Sequence, residues 1–289
     1  MAKIAQILGN IADDDEQTAA RARLFRIRWP SGFRCPRCNE SKYYPMKDGH
    51  FTCLQCRYQS SVTSGTLLGH CRLPPEIITR AAELLFSVET GISTAAIAST
   101  LGVRYASVYR LVTLFRAAMA PSAGDKLTGT IAGIIKRLQM PGDKPAAHVL
   151  VVAMNWSPHR GGKLRLLHIA DGSAATAQDY VKRHVSFKSV LRIRDDILFD
   201  TIKNSTQYSV TIADVGTHPG WFKRCDRAYA IFCNGLESVY RGAVREEALQ
   251  SYLDEWAFRI DHEKFAVDEL LKRLLDNSAY RQSGREIRL

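Results

Sequence analysis

The chain has 289 residues, 46% hydrophobic and 24% charged, which is the composition of a globular protein with two or three domains. It contains no apolar stretch of about 18 residues, so we expect no membrane-spanning helix. The net charge of +11 and the pI near 9.4 favour a polyanionic partner, nucleic acid above all, over a basic surface that only aids solubility.

The basic residues are concentrated near the N-terminus. Between residues 17 and 72 there are ten Lys or Arg side chains against two acids, Glu40 and Asp48. Such clustering favours a binding face. The short apolar run before it is followed by acids and has no cleavage site, so we expect neither signal peptide nor anchor and a cytoplasmic location.

The first predicted elements are a basic helix and a metal site. Residues 17–28 form a helical pattern that Pro30 and Gly32 end. Two C-x-x-C pairs follow, separated by fourteen residues that contain a Lys-Asp-Gly turn: Cys35, Cys38, Cys53 and Cys56. Two such pairs brought together by a hairpin give the four-thiolate set that Zn²⁺ prefers. Chance thiols and a redox pair are the alternatives, and the paired spacing favours structural zinc.

An odd total of seven cysteines is typical of a protein in a reducing compartment. The three cysteines outside the C-x-x-C pairs are predicted to be buried thiols: Cys71, Cys225 and Cys233.

A helix-turn-helix is predicted within residues 93–115. The spacing of three residues is typical of this motif. Ala98 is small enough for two helices to approach, Gly102 takes the left-handed turn, and Val108 packs the second helix against the first. The alternative is a helical hairpin with surface arginines. If the second helix enters the major groove, the DNA-contacting side chains are Arg104, Tyr105, Ser107 and Arg110, joined by arginines of the zinc segment, Arg34, Arg37 and Arg57.

The remainder is predicted as a mixed α/β domain. Strands are expected at 128–135, 147–155 and 163–170, then a helix after Ser173, strands from 189 and 208, and helices near 235–241, 246–260 and 267–276. The fold class is therefore α+β and multidomain.

Several motifs together resemble a family of bacterial insertion-sequence transposases with an N-terminal zinc ribbon. Arg-Trp-Pro-x-Gly-Phe (28–33), both cysteine pairs and Ser-Val-Thr-Ser-Gly-Thr (61–66) carry the resemblance over residues 21–119, and segments 171–185 and 249–263 are similar to helices of the family's core. The resemblance implies a zinc ribbon (1–70), a helix-turn-helix (71–121), a ribonuclease-H-like core (126–262) and a C-terminal helix and tail (263–289).

The resemblance also implies two Asp and a third Glu or Asn that hold two divalent metals for phosphodiester transfer. Here Ile134 and Ile135 stand where the first strand should carry acids, and the one acid between residues 126 and 170 is Asp143, in a turn. The second position falls near Arg194, with Asp195, Asp196 and Asp200 as weak candidates. Asn234 fits the third position, or merely caps a helix.

Three hypotheses follow. The favoured one is a transposase-like protein with a degenerate catalytic core that binds specific double-stranded DNA, as a dimeric, nucleoid-associated regulator. The second is an active transposase that uses Mg²⁺ held by a displaced set, Asp125, Asp200 and Asn234. The third is a structural role unrelated to DNA.

Overall fold

The computed structural model describes residues 14–122, 124–139, 147–154, 162–169, 171, 173–194, 200, 202–203, 208–212, 219–240 and 244–276. The chain divides into two compact units. We call Met1–Ala118 together with Phe265–Leu289 the ribbon unit, and Met119–Lys264 the sheet unit.

Within these described ranges there are eight α-helices, numbered in chain order: α1 (Asp14–Arg28), α2 (Pro75–Leu85), α3 (Thr94–Leu101), α4 (Tyr105–Met119), α5 (Ala174–His184), α6 (Pro219–Ser238), α7 (Leu249–His262) and α8 (Ala266–Leu275). The strands are β1 (Tyr43–Pro45), β2 (Phe51–Cys53), β3 (Gln59–Ser60), β4 (Thr130–Leu138), β5 (Ala147–Met154), β6 (Leu164–Ile169), β7 (Val190–Ile193) and β8 (Ser209–Ile212).

In the ribbon unit, helices α1, α2 and α8 pack on one another. Leu24 of α1 is fully buried, and Arg23 beside it donates to Glu83 at 2.5 Å and to Asp268 at 2.8 Å. The helices α1, α2 and α8 are thus joined by both apolar packing and ion pairs.

A small antiparallel sheet, β1-β2-β3, follows α1. Tyr43 lies opposite Cys53 and Pro45 opposite Phe51, so both ends of the hairpin have a defined register. Gly49 turns the hairpin at φ 84°, in the left-handed region that favours glycine. The core between this sheet and α1 is aromatic, with ring centroids 4.7–6.2 Å apart: Phe25, Trp29, Phe33, Tyr43 and Phe51.

The sheet unit is built on one five-stranded mixed sheet with the order β6-β5-β4-β7-β8. Strands β4, β5 and β6 form an antiparallel meander, whereas β7 is parallel to β4 and β8 is parallel to β7. One face packs on α6 and α7, and the other face packs on α5. Both faces of the sheet therefore lie in a hydrophobic core.

The helix predictions need one correction. Asn234 was placed at the start of a helix or as its cap, but it lies well inside the 20-residue α6, which begins at Pro219. Its side chain is exposed, and its backbone carbonyl accepts a hydrogen bond from Ser238 Oγ at 2.6 Å. Among the described helices, none is both long and apolar enough to cross a bilayer.

Candidate metal centre and nucleic-acid interface

The two C-x-x-C segments have the same backbone geometry. The residue after each second cysteine, Asn39 and Arg57, is in the left-handed region at φ 63° and 58°. The amide of Asn39 donates to the carbonyl of Cys35 at 2.9 Å, and that of Arg57 donates to the carbonyl of Cys53 at 3.1 Å. Each segment is therefore a tight knuckle that holds its two thiols on one side.

The two knuckles bring all four sulfur atoms together, within 4.8 Å of one another. The Sγ atoms of Cys35 and Cys56 are 3.7 Å apart, and those of Cys38 and Cys53 are 3.6 Å apart. A tetrahedron of sulfurs about 2.3 Å from a zinc ion has edges of about 3.8 Å. The spacing of the thiols thus fits Zn²⁺, and four thiolates leave no open position for catalysis.

The electrostatics of the cluster also calls for a cation. The backbone N–H of Cys56 lowers the pKa of the Cys53 thiol to about 7. The backbone N–H of Glu40 favours the Cys38 thiolate too, but desolvation and the neighbouring thiols outweigh it and raise the pKa of Cys38 to about 12. Four thiolates within 4.8 Å of one another would repel, and a dication at their centre removes that repulsion.

Three arginines of the predicted binding face lie within two residues of a zinc ligand and are exposed: Arg34, Arg37 and Arg57. Other arginines of the same segment are used inside the ribbon unit. Arg28 donates to the carbonyls of Ser61, Val62 and Ser64 at 2.5–2.9 Å, and Arg23 holds α2 and α8. The basic cluster seen in the sequence therefore overstates the charge that is available to a partner.

The segment predicted as a helix-turn-helix contains helices α3 and α4. Ser93 caps α3 through the amide of Ala96 at 3.1 Å, and Gly102 ends it at φ 64°, as the spacing predicted. Ala98 and Val108 are 6% and 0% exposed. The positions chosen for packing are thus buried.

The first turns of α4 present the side chains predicted to contact DNA. Arg104, Tyr105 and Arg110 are exposed, and Ser107 is half-buried. Tyr109 was not among the predicted contacts, but it is 51% exposed and stacks on Tyr105 with the ring centroids 6.0 Å apart. Its spacing of four residues from Tyr105 was the available signal.

The two weak catalytic candidates whose carboxylates the structure describes both have cationic partners. Asp200 is 65% exposed and pairs with Lys203 at 2.6 Å, and Asp125 pairs with Lys163 and with Arg165 at 2.8 Å. Asp195 lies outside the described residues. Over the part of the chain that the structure describes, the four cysteines are the one group of three or more His, Cys, Asp or Glu side chains placed to share a metal ion.

A different charged cluster stands between β4, the end of β7 and α6. Arg194 Nη2 lies 2.8 Å and 3.1 Å from the two carboxylate oxygens of Asp226, and Lys136 Nζ is 2.8 Å from the same carboxylate. Burial alone would raise the pKa of Asp226, but the hydrogen bonds from Arg194 and Lys136 outweigh it and hold that pKa below its ordinary value. We call these three residues the Asp226 cluster. Nearby Ile134 is 2% exposed.

Comparison with known proteins supports the identity of the ribbon. The family model described as a transposase zinc-ribbon domain matches residues 14–59, which include α1 and both knuckles. No curated protein matches the chain. What the match shows is that this segment, with its four-cysteine metal-binding group, is similar to the zinc-ribbon domain of transposases.

Proposed function

We propose that this protein is a transposase-related DNA-binding protein that binds specific duplex DNA and does not cut it. The observation that carries the proposal is the exposed arginine set around a four-thiolate centre, in the segment similar to a transposase zinc ribbon. A structural zinc ion fixes the knuckles, so the arginines are held for phosphate contacts at low entropic cost.

Sequence recognition is assigned to α3 and α4 as a helix-turn-helix. An α-helix fits the major groove, and the exposed N-terminal turns of such a helix reach base edges. Arg104 directly precedes α4, and the first turns of the helix carry Tyr105, Ser107 and Arg110. Arg110 is the side chain with the reach and the donors for a guanine edge.

The sheet unit is proposed to be a ribonuclease-H-like transposase core. Its strand order, with an antiparallel meander followed by two parallel strands, supports this assignment. On that reading Ile134 of β4 and Arg194 after β7 occupy the places where the family has metal-binding carboxylates.

The Asp226 cluster supports the loss of catalysis. Two-metal phosphodiester chemistry needs several carboxylates close together to hold hard cations against the charge of DNA. Here the carboxylate of Asp226 is already neutralised by two fixed cations, Lys136 and Arg194. A divalent metal would have to displace both of them.

We further propose a biological role for a core that does not cut. The sheet unit would serve as a homodimerisation scaffold, and the protein would act on the nucleoid in the cytoplasm as a transcriptional regulator. Molar mass measured by light scattering tests the dimer.

The competing proposal is an active transposase in which Asp125, Asp200 and Asn234 hold Mg²⁺. The match to a transposase ribbon favours it. However, both acids already have cationic partners, and Asn234 is in the interior of α6.

DNA binding is tested by selecting a duplex from a random pool and measuring its affinity for the full chain by fluorescence anisotropy at several salt concentrations. We expect the affinity to fall steeply with salt, because each phosphate contact releases counterions. Arg110→Ala should weaken specific binding by about 1–3 kcal/mol and relax the preference at one base pair.

The matched control is Lys272→Ala, which removes an exposed cation of α8. It should bind as the wild type does. Absent or salt-independent binding by the wild-type chain would remove the DNA-binding proposal.

A further inference from the structure

Five exposed side chains lie on two chain segments that meet at the C-terminal end of α5, and we call them the Phe187 patch: Lys126, Lys182, Arg183, Phe187 and Lys188. The backbone joins the two segments that carry them, since the Leu127 amide donates to the His184 carbonyl and the Ser186 amide donates to the Leu127 carbonyl, both at 2.8 Å. Lys126 Nζ also donates to the Lys182 carbonyl at 3.1 Å. The patch is therefore a fixed part of the sheet unit.

The Phe187 patch carries an excess of positive charge. No acid occurs between residues 181 and 194, which include five Lys or Arg residues, and the nearby Asp179 pairs with Lys182 at 3.7 Å. Burial, and then the charges of Arg165, Arg183 and Lys126, lower the pKa of His184 to about 4. The imidazole is thus neutral at pH 7 within a cationic surrounding.

Phe187 is the unusual member of the patch. Its side chain is 64% exposed at a tight turn, and the Nζ atom of Lys188 is 5.7 Å from its ring centroid. Lys188 itself has φ 64°, which fixes the turn and presents the ring. A partner that offers both negative charge and flat apolar faces fits this surface, and DNA has phosphates and bases in that combination.

We propose that the Phe187 patch is a second DNA-binding surface, on the sheet unit. Its lysines and Arg183 contact phosphates, and the ring of Phe187 stacks on a base at a step that is unstacked in the complex. The proposal rests on the proposed DNA-binding function and adds to it a contact outside the zinc ribbon and α4.

The test measures the affinity of the full chain for its selected duplex by anisotropy at several salt concentrations. Phe187→Ala should weaken binding about 5-fold to 150-fold, the effect of one lost stacking contact, without changing the salt dependence. Phe187→Trp should bind within about twofold of the wild type, because an indole stacks as well. Lys126→Ala and Lys188→Asn should each lower the slope of log K against log salt by about 0.9.

Lys188→Asn is chosen because asparagine tolerates the left-handed conformation better than alanine. The matched control is Phe265→Ala, which removes another exposed phenylalanine, 73% exposed, in the ribbon unit. It should bind DNA as the wild type does. Thermal unfolding of each variant confirms that the fold is intact.

The outcomes separate this inference from the proposed function. If the wild type binds, Arg110→Ala weakens binding and Phe187→Ala does not, the Phe187 patch proposal is overturned while the proposed function stands. If Phe187→Ala changes the molar mass of the protein in solution but not its affinity for DNA, Phe187 makes a protein contact, and the Phe187 patch proposal is again overturned. If the wild type does not bind DNA at all, both proposals fall.

Discussion

The zinc knuckles and the Asp226 cluster place ligand atoms in opposite ways. In the ribbon unit four sulfurs converge within 4.8 Å, and backbone N–H groups donate to the thiols of Cys38 and Cys53. In the sheet unit one carboxylate is held between Lys136 and Arg194 at 2.8 Å. Protein cations thus complete the second cluster, whereas the first needs a metal ion to balance its charge.

Under the proposed function, this difference between the two clusters distinguishes the DNA-binding part of a transposase from its catalytic part. The part that holds the shape of a DNA-binding ribbon has the geometry its metal needs. On the proposed assignment of the sheet unit as a transposase core, the strands that would hold catalytic metals have apolar and cationic side chains instead, Ile134 on β4 and Arg194 after β7. On this account binding is retained and cutting is lost.

The largest expected effect is at the ribbon. Cys53→Ser replaces a fully buried ligand, so we expect loss of bound zinc and of the order of the knuckles, since structural zinc contributes folding free energy directly. Zinc release measured with a chromogenic chelator and hydrogen exchange of the ribbon amides check this. Cys71→Ser, at a half-buried thiol outside the cluster, is the control. Full zinc content in Cys53→Ser would contradict the four-thiolate site.

The next effect is in the sheet. Ile134→Asp puts a carboxylate where the proposed transposase core would have one, but at a site that is 2% exposed. An uncompensated buried charge should lower the free energy of unfolding by about 3–5 kcal/mol. Ile134→Val, the control, should cost about 0.5–1.5 kcal/mol. Urea unfolding measures both, and a stable Ile134→Asp variant that binds Mn²⁺ in calorimetry would show that the site is still prepared for metal.

A smaller effect is expected at Asp226. Asp226→Asn removes two partly exposed ion pairs and should lower the free energy of unfolding by about 1 kcal/mol at pH 7. Because the folded-state pKa of Asp226 is below the unfolded value of about 3.9, its contribution is present at neutral pH and is lost as the pH falls below about 4.

Calorimetric unfolding of wild type and variant from pH 7 to pH 3 checks the Asp226 prediction. The two should converge in acid. Asp200→Asn, at an exposed pair with Lys203, should behave as the wild type at every pH. A constant difference between Asp226→Asn and the wild type at all pH values would argue against the ion pairs.

Local features were predictable from the sequence. The two C-x-x-C spacings gave the thiol cluster, and the Gly102 spacing gave the left-handed end of α3, because neighbours within a few residues decide both. Runs of apolar and β-branched residues located β4, β5 and β6 to within a few residues. The capped start of α5 at Ser173 was also predicted.

Features set by distant parts of the chain were not predictable. The partners of Arg23 are 60 and 245 residues away, so its use within the fold could not be read from the local charge. Asp226 meets Arg194 because α6 packs on β4 and β5, which brings Asp226 to the residue that follows β7. Gly220 and Gly235 hid the length of α6, since glycine weakens a helical pattern that tertiary packing then overrides.

The most direct test of the central claim is an assay of cleavage with DNA binding measured in the same samples. A supercoiled plasmid that carries the selected site is incubated with the full chain in Mg²⁺ and in Mn²⁺. The account predicts that the protein shifts the DNA and leaves it supercoiled in both metals. Nicking that disappears in Asp200→Ala while the DNA shift remains would contradict it and establish an active transposase.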